Sequence, residues 1–173
     1  MGNATKPLFT GESGGESHLA AAVSLPTPAP PGEVNDAAVR MQIDALRREG
    51  ALPYRDRLAE RLANLQEMFK EEGEDELFLA DSLRALLAFL ERLPSLPYPS
   101  VTLTSGGEAC LTWQRGSDYF LGARFFDIEH VHFAAHYPNR REGSLIDRLS
   151  GSTTSRALAD LALHFQVSDW AAK

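Results

Sequence analysis

Apolar residues recur at helical spacing along the first half of the chain and at alternating spacing afterwards, and the switch falls at "PSLPYPS", residues 94–100. Upstream, Val39, Ile43 and Leu46 share one helical face, Leu58, Leu62, Leu65 and Phe69 form a second stripe, and Leu79, Leu83, Leu86, Leu90 and Leu93 a third. Steps of three and four residues put such side chains on one side of an α-helix, where they can be buried together. Asn35 suits an N-cap, Gly50 and Gly73 suit helix stops, Pro53 suits a first turn, and Pro94 closes the third stripe. Connections this short predict three helices packed as neighbours.

Downstream, "SVTLT", "EACLTW", "YFLGARFF" and "HVHFAAHY" alternate between apolar and polar, separated by "SGGE", "RGSD" and "DIE". Period-two alternation broken by turn residues predicts an antiparallel meander of four strands. Val101, Leu103, Leu111 and Trp113 should then face the helices. "YPNRREGSLID" reads as a loop, and "SGSTTSRALADLALHF" as a capped helix that buries Leu158, Leu161 and Phe165. The expected fold is α+β: one domain over 34–168, with helices in 35–93, a four-stranded antiparallel sheet in 99–138 and a helix over 153–166. A flexible arm over 1–33, rich in Gly, Ser, Ala and Pro, precedes it, and a short tail over 169–173 follows.

Composition narrows the function classes. At 43% hydrophobic and 24% charged, the 173-residue chain has the balance of a globular protein, and no apolar run reaches the roughly 20 residues that span a bilayer. The early patch "HLAAAVSL" follows a segment whose single base is Lys6, which is not a secretory leader, so a cytoplasmic location is the expectation. Cys110 has no second cysteine to pair with and is expected to be a small buried hydrophobe. A net charge of -7 argues against nucleic acid as the main ligand. The charges are polarised, with Arg40, Arg47, Arg48, Arg55, Arg57 and Arg61 upstream of Glu67, Glu71, Glu72, Glu74, Asp75, Glu76 and Asp81. Solvated faces with some ion pairs account for this, since "EEGEDELFLAD" lacks the spacing of a calcium loop.

The concentrated chemistry is "HVHFAAH", residues 130–136. On a strand, His130, His132 and His136 share the wetter face, opposite Val131, Phe133, Ala135 and Tyr137. His130 and His132 could meet one metal ion with Asp127 or Glu129, the set a small metal-dependent hydrolase or nuclease would use. His136 stands about 20 Å beyond His130 on a straight strand, too far to join them. No zinc-binding, nucleophile-elbow, phosphate-loop or dinucleotide motif supports catalysis, so no catalytic residue and no cofactor is assigned. The lack of such a constellation, with the arm and the polarised charge, favours a protein partner over an enzyme, with nucleic acid as the alternative and no membrane. His130, His132, His136, Arg140 and Arg141, with Arg148 near them and Trp170 in the tail, are the residues expected to meet that partner. The oligomeric state is left open.

The stretch "LRALLAFLERLPSLPYPSVTLTSGGEACLTWQRG" resembles a widespread group of bacterial and phage-island proteins: a leucine-rich helix ending in proline, a P-x-V-x-L strand, a glycine turn and a strand closing on Trp113. The resemblance covers residues 79–137. It implies the same α+β meander and a short helix after it. Members of the group have no assigned activity, and many are encoded among toxin–antitoxin-like or defence genes, which implies a binding role in conflict between mobile elements and their hosts. This chain departs from the group where "GEDELF" replaces a Trp-Asp-Gly-type turn and in its histidine-rich fourth strand.

Overall fold

The helical stripes and the alternating strands form two layers. The computed structural model describes residues 31–72, 77–139 and 145–171. Helices α1 (Pro31–Glu49), α2 (Arg55–Glu72) and α3 (Ala80–Arg92) lead into strands β1 (Ser100–Leu103), β2 (Ala109–Arg115), β3 (Tyr119–Phe125), β4 (Val131–Pro138) and β5 (Ile146–Thr153). Helices α4 (Ser155–His164) and α5 (Val167–Ala171) follow. The strands lie in sequence order, each antiparallel to the next.

The inward phase of the meander is the expected one. Val101, Leu111, Trp113, Leu121, Phe125, Val131 and Ala135 are buried, and Leu103 is half-buried against them. α3 packs against β2 and β3 with α1 and α4 beside it, and α2 packs against β1. At the centre, the fully buried Phe89 ring sits 6.2 Å from Trp113 and 5.7 Å from Phe125. A polar tie crosses this apolar interface. Ser82, fully buried on α3, donates its hydroxyl to Phe125 O (2.6 Å) and accepts from Ala109 N–H (2.7 Å), so one side chain satisfies a backbone group on each of two strands.

Several boundaries differ from the expectation. The sheet has five strands, because "IDRLSGST" pairs along its whole length with β4 instead of forming a loop and a helix start. Its inward positions are Asp147, Leu149, Gly151 and Thr153, so the apolar alternation that marks a strand is missing and the β4 ladder supplies the order. α1 begins at Pro31, before Asn35, and Asn35 caps another helix: its Oδ1 accepts from Ala80 N–H at the start of α3 (2.9 Å) while its Nδ2 donates to Phe78 O (2.7 Å). α4 is capped by Thr154, whose hydroxyl accepts from Ala157 N–H.

The tail expected over 169–173 is helical as far as it is described, and Trp170 does not face outward. A left-handed Gln166 (φ 54°) turns the chain from α4 into α5, which packs on β2. The Trp170 ring stacks on Tyr119 at 5.4 Å, its N–H donates to Phe165 O (3.1 Å), and the residue is 5% exposed. It belongs to the core. Residues 31–33, expected to close the flexible arm, are instead the first residues of α1, while residues 1–30 of that arm and the Gly73 helix stop lie outside the described residues.

Candidate binding face

The described helices lie on one side of the sheet, and no described segment covers the other. Three rows of side chains cross this outer face. The middle row is Ser100, Thr112, Gly122, Ala134 and Ser150, one small residue from each strand in register. One flank is Gln114, Phe120, His136 and Arg148; the other is Thr102, Cys110, Arg124, His132 and Ser152. Small residues between larger ones make a trough perpendicular to the strands.

Each flank is built to hold its rings. His136 lies nearly parallel to Phe120 (5.3 Å, 12°), and its Nε2 is 3.0 Å from Ser117 O. A carbonyl only accepts, so this contact places a proton on Nε2. Phe120 reclines over Gly122: a Cβ there would lie 2.7 Å from the ring tip, which explains the glycine. On the other flank the Arg124 guanidinium is 2.9 Å from Glu108 Oε1 and 4.7 Å from the centre of the Phe126 ring, and His132 meets the same ring edge-on at 4.7 Å. The Thr104 hydroxyl and Arg124 hold the Glu108 carboxyl below the usual glutamate range. Two hollows result, one of about 360 Å³ between Cys110, Arg124, His132 and Phe120, and one of about 320 Å³ between Phe120, His136, Arg148 and Ser150.

Cys110 is half-buried on this outer face, not in the core, and burial pushes its thiol pKa up, so it remains protonated at neutral pH. Among the described residues, Arg124, Arg148 and the two imidazoles share this face with one carboxylate, Glu108, which Arg124 pairs. Basic and neutral chemistry therefore gathers here in a chain of net charge -7. Much of the acid is on the helices: Asp36 accepts from Arg40, Lys70 and Gln66, and Asp81 pairs with Arg84.

The structure separates the three histidines. His132 and His136 share the outer face, but His130 precedes β4 in the turn after β3. Its Nδ1 contacts Asp127 (2.9 Å), whose Oδ1 also accepts from the backbone N–H groups of Glu129 (2.8 Å) and His130 (2.9 Å). The His130 hydrogen bond and these N–H groups lower the Asp127 pKa, and the carboxylate shapes the turn. Among the described residues no three histidine, cysteine or carboxylate side chains converge as metal ligands, so His130, His132, Asp127 and Glu129 do not assemble into the site considered above. Arg140 and Arg141 lie outside the described residues. Phe120, Gly122 and Arg124 carry no motif in the sequence, although the outward phase of "YFLGARFF" sets them beside the histidines.

No described helix is long and apolar enough to cross a membrane. No family model, curated protein or solved structure matches the chain, so the face is read from its own geometry.

Proposed function

We propose that this chain is a non-catalytic binding module that captures a protein partner on the outer face of its sheet, acting as a regulatory, inhibitory or immunity-type subunit. One observation carries the reading: a layer of helices on only one side leaves a trough of small residues, walled by Phe120 with His136 and by Arg124 with His132, on the side that the described chain does not cover. Such a surface admits a protruding segment of a partner, and Arg148, beside an Arg124 that Glu108 already neutralises, favours one that carries a carboxylate. The resemblance of residues 79–137 to proteins encoded among defence and toxin–antitoxin-like genes supports a setting of mobile-element conflict, with the products of neighbouring genes as the partners to test first.

The test is co-purification with those products, followed by titration of whichever binds. Ala134→Arg fills the trough from an exposed position and should weaken binding by about tenfold or more while the far-ultraviolet dichroism stays unchanged. Binding indifferent to Ala134→Arg, or turnover by the purified chain alone, overturns the proposal. Capture of RNA with a steep salt dependence, in place of protein, overturns it as well.

A further inference from the structure

The two edges of the sheet are finished differently. β1 has four residues, and its outward-pointing carbonyl at Val101 accepts a hydrogen bond from Arg61 Nε on α2 (3.1 Å). β5 has eight residues and, among the described strands, a neighbour on one side only. The phase of its ladder is set where Asn139 N–H donates to Leu145 O (2.8 Å), one step beyond the pair Pro138 and Ile146. Antiparallel pairs alternate between bonded and non-bonded. Asp147, Leu149, Gly151 and Thr153 therefore bond towards β4, while the N–H and C=O groups of Ile146, Arg148, Ser150 and Ser152 point to the open edge. Proline, lysine and bulges, three of the usual protections of such an edge, are absent from "IDRLSGST"; its charges are one acid facing inward, Asp147, and one base facing outward, Arg148, which leaves the four residues from Leu149 to Ser152 uncharged. Leu149 is 43% exposed, and Leu145, just before the strand, is 52% exposed.

We propose that two copies of this chain pair antiparallel through β5, about a two-fold axis at Leu149, to join their sheets into one. Self-pairing fits this edge better than a foreign strand because the sequence is complementary to itself. Edge-facing residues must lie opposite edge-facing residues, and centring on Leu149 sets Arg148 against the partner's Ser150 and Ile146 against the partner's Ser152. On the helix side, Asp147 meets the partner's Gly151, and Leu149 meets the partner's Leu149 in a non-bonded pair, where side chains approach most closely. No charge stands directly opposite its like. The pairing also completes the trough, since Ser150 is its open end and the partner's Arg148 would stand there.

The experiment is the mass of the full chain by light scattering over a concentration series. A dimer of twice 19.0 kDa is expected at the upper end. Ser150→Pro removes an edge N–H that the β4 ladder does not use, and Leu149→Lys places two ammonium groups at the axis; each should raise the dissociation constant about tenfold or more with unchanged dichroism. Leu163→Lys, at another exposed leucine on α4, should leave the dimer intact. In a Cys110→Ser background, Leu149→Cys should crosslink on mild oxidation and Ser150→Cys should not. A wild type that is monomeric throughout, whether residues 1–30 or nothing occupies the edge, overturns the proposal. So does a dimer indifferent to both edge variants, or one that crosslinks through Ser150→Cys instead. The readout is mass, so it stands or falls apart from the capture of a protein partner.

Discussion

The two faces of the sheet are made from the same strands and obey opposite rules. Inward positions on β2, β3 and β4 hold Leu111, Trp113, Leu121, Phe125 and Val131, all buried. Outward positions on those strands hold Thr112, Gly122 and Ala134 between rings and arginines. The inner face is fixed by volume, because large side chains from two layers must fill one space. The outer face is fixed by shape, because small side chains leave room that its flanks border. Stability and recognition are thereby assigned to alternate residues, and substitutions on the two sides should differ in kind.

The largest effect is expected at the centre of the inner layer. Phe89→Ala removes a ring enclosed by Trp113 and Phe125 and leaves a cavity between α3 and the sheet. A loss of about 3–5 kcal/mol is expected. Equilibrium urea unfolding measures it, and a loss below about 1 kcal/mol would mean that α3 does not hold the layers together.

A smaller but chemically distinct loss should follow from Ser82→Ala. Little volume goes, so the cost comes from stranding Phe125 O and Ala109 N–H where water does not reach. About 2–3 kcal/mol is expected, near the low end of roughly 1–3 kcal/mol for each of two unsatisfied groups, because an N–H and a C=O that share one hydroxyl can close part of the gap between them. Faster hydrogen exchange at Ala109 than at Leu111 would distinguish a broken tie from general loosening. A neutral outcome would show that the strands do not depend on the α3 hydroxyl.

These residues also mark what was legible in the sequence. The stripe of Leu83, Leu86 and Leu90 and the alternation from Val101 to Tyr137 announced the helical layer and the inward face, because burial imposes a period that can be read along the chain. β5 was not legible, since an edge strand needs no apolar alternation when its neighbour holds it. The roles of Asn35 and Ser82 were hidden for another reason: their partners lie 45 and 43 residues away, and no local rule separates a cap of one helix from a cap of another. The histidines are dense in the sequence, yet His130 serves a turn, and the trough is made by small residues that carry no signal singly.

The smallest effect on stability, and the sharpest on shape, is expected at Gly122. In Gly122→Ala the new methyl group would lie 2.7 Å from the tip of the Phe120 ring, and that ring can swing aside because it is the far end of a side chain on the open face. Alanine also restricts the unfolded chain more than glycine, which offsets part of the strain, so stability should change by no more than about 1 kcal/mol. Phe120 would leave its stack on His136, and the imidazole protons should lose the ring-current shift of the wild type. Magnetic resonance of His136 with an unfolding curve tests both halves at once. Unmoved imidazole signals would show that Phe120 is held by something other than the room above Gly122, and a large stability loss would show that the outer face shares in the core.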